Sequence, residues 1–165
     1  MSETRNLGVA SIQVGAIATD GDVSTTFAAL GVTYKDTAEF TQSQDADTEH
    51  ICEESDEPFA IVPGVKKTTI KFAITDVTPA TLVAILGGTA TGTAPNDSWT
   101  APATSDILEK SVKITPKSGK VITCPRVSLK ATIDYKLQRA GILKVNIEGR
   151  VLTPTKAGVA AIKIG

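Results

Sequence analysis

The sequence predicts a mainly β protein: an antiparallel β-sandwich or barrel-like domain with one short flanking helix, about 78–86, and an extended arm or loop, about 40–62. Three observations predict it. Several stretches alternate apolar and polar side chains at a period of two, the mark of strands with one buried and one wet face. Threonine is abundant, at 23 residues, and many sit in those runs, where a branched polar side chain suits an exposed pleated face. A single stretch carries helix punctuation at both ends.

That stretch, 68–88, organises the chain. Thr69-Ile70-Lys71-Phe72-Ala73-Ile74-Thr75 alternates and sets Ile70, Phe72 and Ile74 on one face. After the turn at Asp76-Val77, Thr78 can cap free amides, Pro79 suits the first helical position, and Gly87 can end the helix in a left-handed conformation. Leu82, Val83, Ile85 and Leu86 leave this helix almost no polar face, so it is expected as a covered plug against a sheet.

The remaining elements read as further strands. Segment 7–17 sets Leu7 and Val9 on one face and Ile12 and Val14 on the other, so a bulge between the pairs is expected. Thr19-Asp20-Gly21-Asp22 is a turn, 23–30 fits either a strand or a short helix, and 32–34 and 39–42 read as brief strands. Residues 89–105 form a loop with room for a short strand, pinned by Trp99. Leu108, Lys110, Val112 and Ile114 share one face of the next strand, and 120–124 returns to Pro125. Residues 126–136 put Val127, Leu129, Ala131, Ile133 and Tyr135 on a core face, and 142–152 comes back with Leu143, Val145, Ile147 and Val151. The tail 157–164 reads as an edge strand.

At 165 residues and 41% apolar content, residues 1–165 are read as a single domain able to bury a core without metals or disulfides. Cys52 and Cys124 match no ligand spacing and are expected as unpaired thiols, at least one of them buried. The weakly apolar run 7–18 lacks a basic leader, so it is expected to be retained in a cytoplasmic product. No stretch is long and apolar enough to span a membrane. The net charge of −1 hides an asymmetry: residues 1–60 hold 12 acidic against 2 basic residues, and 61–165 hold 6 against 15. The acidic block is Asp45, Asp47, Glu49, Glu53, Glu54, Asp56 and Glu57, with no basic residue inside it, so it is either solvated or faces a partner.

No catalytic, cofactor or metal constellation emerges. His50, the one histidine, lies in the acidic block without a nucleophile elbow, and Glu49, Cys52 and Glu53 lack zinc spacing. Gly87-Gly88 follows a helix where a phosphate loop precedes one, and Asp45, Asp47 and Glu49 do not complete a calcium loop. The basic residues of the second half lack interleaved aromatics, apart from Tyr135 on its core face, so a single-strand-binding barrel is the weaker competitor.

In the order of its elements, the chain resembles the major tail tube proteins of tailed bacteriophages and the inner tube proteins of contractile injection systems. The early strand region, the arm 40–62, the strand 67–75, the capped helix 78–86 and the long hairpins over 107–152 carry the resemblance. It implies homo-hexameric rings stacked into a hollow tube for DNA passage or injection, in a virion tail assembled in the host cytoplasm. It implies partners such as a sheath, tape-measure, baseplate or terminator protein, transient non-specific contact with DNA in the lumen, and no membrane insertion of the monomer. Carried onto this chain, the subunit-contact arm is Asp45, Asp47, Glu49, Glu53, Glu54, Asp56 and Glu57 with Phe59 and Ile61 as apolar anchors. A basic counter-surface on the next copy is expected from Lys110, Lys113, Lys117, Lys120, Lys130 and Lys144. A pilus-like or capsid-decorating β subunit and a monomeric binding module are the alternatives.

Overall fold

The computed structural model describes residues 5–105 and 107–165, and the described chain is mainly β with one short helix. The elements are β1 (Ser11–Gly15), β2 (Ala28–Ala29), β3 (Val32–Thr33), β4 (Glu39–Gln44), β5 (Thr48–Ile51), β6 (Pro58–Val62) and β7 (Lys66–Thr75). Then come α1 (Pro79–Leu86), β8 (Thr89–Thr91), β9 (Ser98–Thr100), β10 (Leu108–Thr115), β11 (Ile122–Tyr135), β12 (Leu143–Val151) and β13 (Lys163–Ile164). The main sheet runs β2-β1-β10-β11-β12-β7-β3, with β4 also on β7 and β13 also on β11, every pairing antiparallel. β1 and β3 stand far apart in that order yet touch. Val9, Ile12 and Ile114 face Phe40 and Ile70 across a cleft of about 200 Å³. The sheet therefore curls back on itself, and its inner face encloses the core.

The core follows the alternation read from the sequence. Ile12 and Val14 of β1, Ile70, Phe72 and Ile74 of β7, Val112 and Ile114 of β10, Val127 and Leu129 of β11, and Val145 and Ile147 of β12 are all buried. The parity switch before Ile12 comes from an irregular segment rather than from a bulge within a strand. Leu7 makes a lone bridge to Ser118, and Gly8 takes φ +59°, after which β1 begins at Ser11. The polar tip ahead of it lies outside the described residues for positions 1–4. Segment 23–30 resolves as a two-residue strand, and 89–105 forms a small hairpin of β8 and β9.

Helix α1 starts as its sequence dictates: the Thr78 hydroxyl accepts the Thr81 amide at 3.3 Å, with Pro79 in the first turn. Its end differs from the expectation. Gly87 has φ +75° but ψ −160°, a glycine-only region rather than the left-handed helical one. Trp99 Nε1 donates to the Gly87 carbonyl at 2.9 Å, which pins the β8–β9 hairpin to the helix end. The helix is a partial plug: only Ile85 is fully buried, and Leu82, Val83 and Leu86 are half-buried.

Pro125 does not separate the runs 120–124 and 126–136, which the sequence reads one after the other; β11 runs straight through it. The register steps from Lys110↔Val127 to Val112↔Cys124, so Pro125 and Arg126 together oppose Ser111. That is a β-bulge, where a strand proline is tolerated. The Ser111 hydroxyl donates to the Pro125 carbonyl at 2.7 Å and accepts the Ser24 amide at 3.0 Å, so the groups around the bulge stay paired.

Ion pairs tie down the surface segments. Lys156 Nζ lies 2.7 Å from a carboxylate oxygen of both Asp20 and Asp22. Arg126 grips Glu109 with two hydrogen bonds of 2.7 and 2.9 Å and donates to the Thr153 carbonyl. The Lys156 ammonium holds both aspartates below their usual 3.8, and Arg126 holds Glu109 below its usual 4.5. Lowered carboxylate values stabilise the fold above those usual values, and the contribution is lost as pH falls through the folded-state ones. The thermal midpoint is expected to drop on acidification below about pH 4.5. A Lys156→Met variant should show a shallower drop, because Asp20 and Asp22 then titrate near their unfolded values. The effect is modest, since these pairs are solvent-screened.

Candidate functional site

The expected arm is a braced hairpin. β4 and β7 pair from Glu39↔Lys71 to Gln44↔Lys66, and the Asp45 amide adds a bond to the Val65 carbonyl at 3.0 Å. β5 and β6 then continue outward from Thr48↔Val62 to Ile51↔Pro58. Two of the expected contact residues brace the neck. Asp45 is paired with Lys67 at 2.8 Å, so the acidic block does have a basic partner, one that follows it by 22 residues. Asp47 accepts the Gly64 amide at 2.9 Å.

Beyond the neck almost nothing is buried. Glu49, Glu53, Glu54, Asp56 and Glu57 are exposed, and so are Ile51, Ile61 and Val62. Phe59 is 71% exposed, with the His50 ring beside it at 6.2 Å between centroids. A register shift between His50 and Ile51 makes Phe59 the extra residue of a bulge at the outer end. Both cysteines are unpaired, Cys52 exposed beside the arm tip and Cys124 in the core, where burial pushes its thiol up to about 11. A thiol reagent at pH 8 is expected to modify one cysteine per native chain and two after denaturation, read by mass spectrometry.

The six expected counter-surface lysines do not share one face. Lys110 and Lys113 are half-buried on β10, and Lys113 lies over the Phe27 ring at 5.7 Å. Lys117 and Lys120 are exposed on the β10–β11 connection, beside Leu7 and Asn6. Lys130 and Lys144 belong to the β11–β12 hairpin, where they stand opposite Glu148 and Asp134. Lys144 also stacks over Tyr34 at 4.5 Å.

A second surface escaped sequence reasoning. The core face of β11 and β12 continues past the core: Ile133 and Leu143 are exposed, and Tyr135 is 52% exposed. These three were expected inside, because alternation says which face a residue takes but not where the covering layer ends. Ile142 and Leu137, the latter 86% exposed, extend the patch through the connecting turn.

Among the described residues, no group of three or more His, Cys, Asp and Glu could hold a metal. An open groove of about 810 Å³ between β1, β2 and α1 is lined by small apolar and hydroxyl side chains, with Lys110 as its one charged residue. No described helix is long and apolar enough to cross a membrane.

No protein-family model matches the chain, and no curated protein matches it in sequence. A chain in the solved tail of an empty GTA particle, refined helically with C6 symmetry, is similar to it, with 12% identity, 94% of each chain covered and a TM-score of 0.48. With identity and superposition at that level, the functional reading rests on this chain's own surface.

Proposed function

We propose that this chain is a non-enzymatic structural subunit that assembles into hexameric rings stacked as a hollow tube for DNA passage or injection. The observation that carries the reading is the arm: a hairpin with a hydrogen-bonded neck and exposed Phe59, Ile51, Ile61 and Val62 beyond it. A lone chain gains nothing by holding large apolar side chains in water, so a braced apolar projection is built for a protein contact. The arm therefore reaches a neighbouring copy. The order of the elements supplies the tube geometry through the resemblance, and ring closure requires head-to-tail contacts.

Two further features support the reading. Among the described residues β4 carries one ladder, to β7, which leaves its other edge open to a neighbour's strand. The wet face of β11, β12 and β7 is polar with cations in excess: Lys130 stands opposite Glu148, Lys144 opposite Asp134, and Lys71 lies 4.0 Å from the same Glu148, while Arg150 stands opposite Ser128. As a lumen lining it would present a hydrated polar surface. Tape-measure, sheath, baseplate and terminator proteins would meet the tube at its lumen, wall and ends in a virion tail assembled in the host cytoplasm.

Sedimentation velocity across a concentration series tests the reading. Large species are expected near 0.1 M salt and fewer near 1 M, where the screening length falls from about 10 to about 3 Å. Reversing Glu53, Glu54, Asp56 and Glu57 to lysine should reduce them to single rings or short stacks at either salt. A monomer at every concentration and salt would contradict it.

A further inference from the structure

We infer that the seat for the arm is the exposed outer end of the β11–β12 hairpin on a second copy of this chain, stacked end to end along the strand direction. The inference rests on the self-assembly reading above and names the site that reading leaves open.

The two surfaces match in chemistry. Residues 49–62 hold five acidic and no basic residues around Ile51, Phe59 and Ile61. Residues 130–144 hold four basic residues and one acidic residue around Ile133, Tyr135 and Leu137. Each is an exposed apolar patch, the first rimmed by acidic residues alone and the second by a majority of basic ones, with Lys136 and Arg139 in the turn. Apolar anchors supply affinity, and rim charges select the partner and speed the encounter. The β10 lysines make a poorer seat, because Lys110 and Lys113 are half-buried.

The topology shows why the partner must be another copy. The arm leaves the sheet at the start of β7, where Gln44 pairs with Lys66. The outer end of β11–β12 stands at the other end of β7, where Ile74 pairs with Val145 and Val145 with Ile133. β7 has ten residues, which puts about 30 Å between the two sites. The sites share no residue and face opposite ends of the domain, so one copy's arm meets the next copy's hairpin. Such a heterologous contact repeats without limit along one axis, which is what a stack of rings requires.

The native Cys52 at the arm tip provides the test, because Cys124 is buried. Gln138→Cys places a thiol in the exposed β11–β12 turn without changing charge, and Ser118→Cys places one beside Lys117 as the competing site. Sedimented assemblies of each variant are treated with a short bismaleimide and run on denaturing gels. The expected result is a ladder of linked chains for Q138C, no ladder for S118C, and loss of the Q138C ladder when Cys52 is also changed to Ser. In parallel, Leu137→Glu is expected to raise the concentration needed for assembly by about tenfold or more while leaving the monomer's thermal midpoint unchanged. Assemblies that form normally but link through S118C rather than Q138C, or that tolerate L137E, would overturn this docking site and leave self-assembly standing. Absence of assembly in the wild-type chain would overturn both.

Discussion

Replacing residues 46–64 by an Asn-Gly turn is expected to abolish stacking into tubes while leaving the chain folded. Asp45 and Val65 are hydrogen-bonded partners at the neck, so a two-residue turn of the type favoured in hairpins can close the ladder there. The excised residues are almost all exposed and pack on no part of the core, so the thermal midpoint should move little. The loss should fall on association. Two apolar anchors of about 2 kcal/mol each, Phe59 and Ile61, amount to roughly a thousandfold in the concentration needed to assemble. Light scattering and circular dichroism on the same samples separate the two effects. A variant that assembles like the wild type would mean that the arm is a solvated loop.

Phe72→Ala is expected to do the reverse, lowering stability without touching either association surface. Phe72 is fully buried, sits in the middle of β7 and pairs across the sheet with Ile147. Its truncation removes the one buried aromatic ring of the core and leaves a cavity, at a cost of about 3–5 kcal/mol. Each kcal/mol lowers the midpoint by about 2–4 °C in a domain of this size, and total stabilities are about 5–15 kcal/mol. Phe72→Leu should cost much less, because it keeps most of the volume. Equal midpoints for F72A and wild type in calorimetry would contradict the assignment of this core.

Local chemistry made much of this fold legible. The β7–α1 unit could be read because its signals are contiguous: alternation through Ile74, then Thr78, Pro79 and Gly87 in their places. The strands of 107–152 were legible for the same reason. What escaped depends on residues distant in sequence. Pro125 looked like a break because the hydroxyl that accommodates it belongs to Ser111, on another strand. Asp45 looked like free charge because its partner, Lys67, arrives only after the hairpin returns. The exposure of Ile133, Tyr135 and Leu143 depends on where neighbouring elements stop, and a strand's own periodicity carries no record of that. The arm was legible as an acidic block between two strands; its seat was not.

Negative-stain electron microscopy of the purified chain across a concentration series tests the central claim most directly. The account predicts hollow rings that stack into tubes with a regular axial repeat, giving way to short stacks or single rings in the E53K/E54K/D56K/E57K variant. Monodisperse particles of single-chain size at the highest concentrations, with no rings at low or high salt, would contradict it.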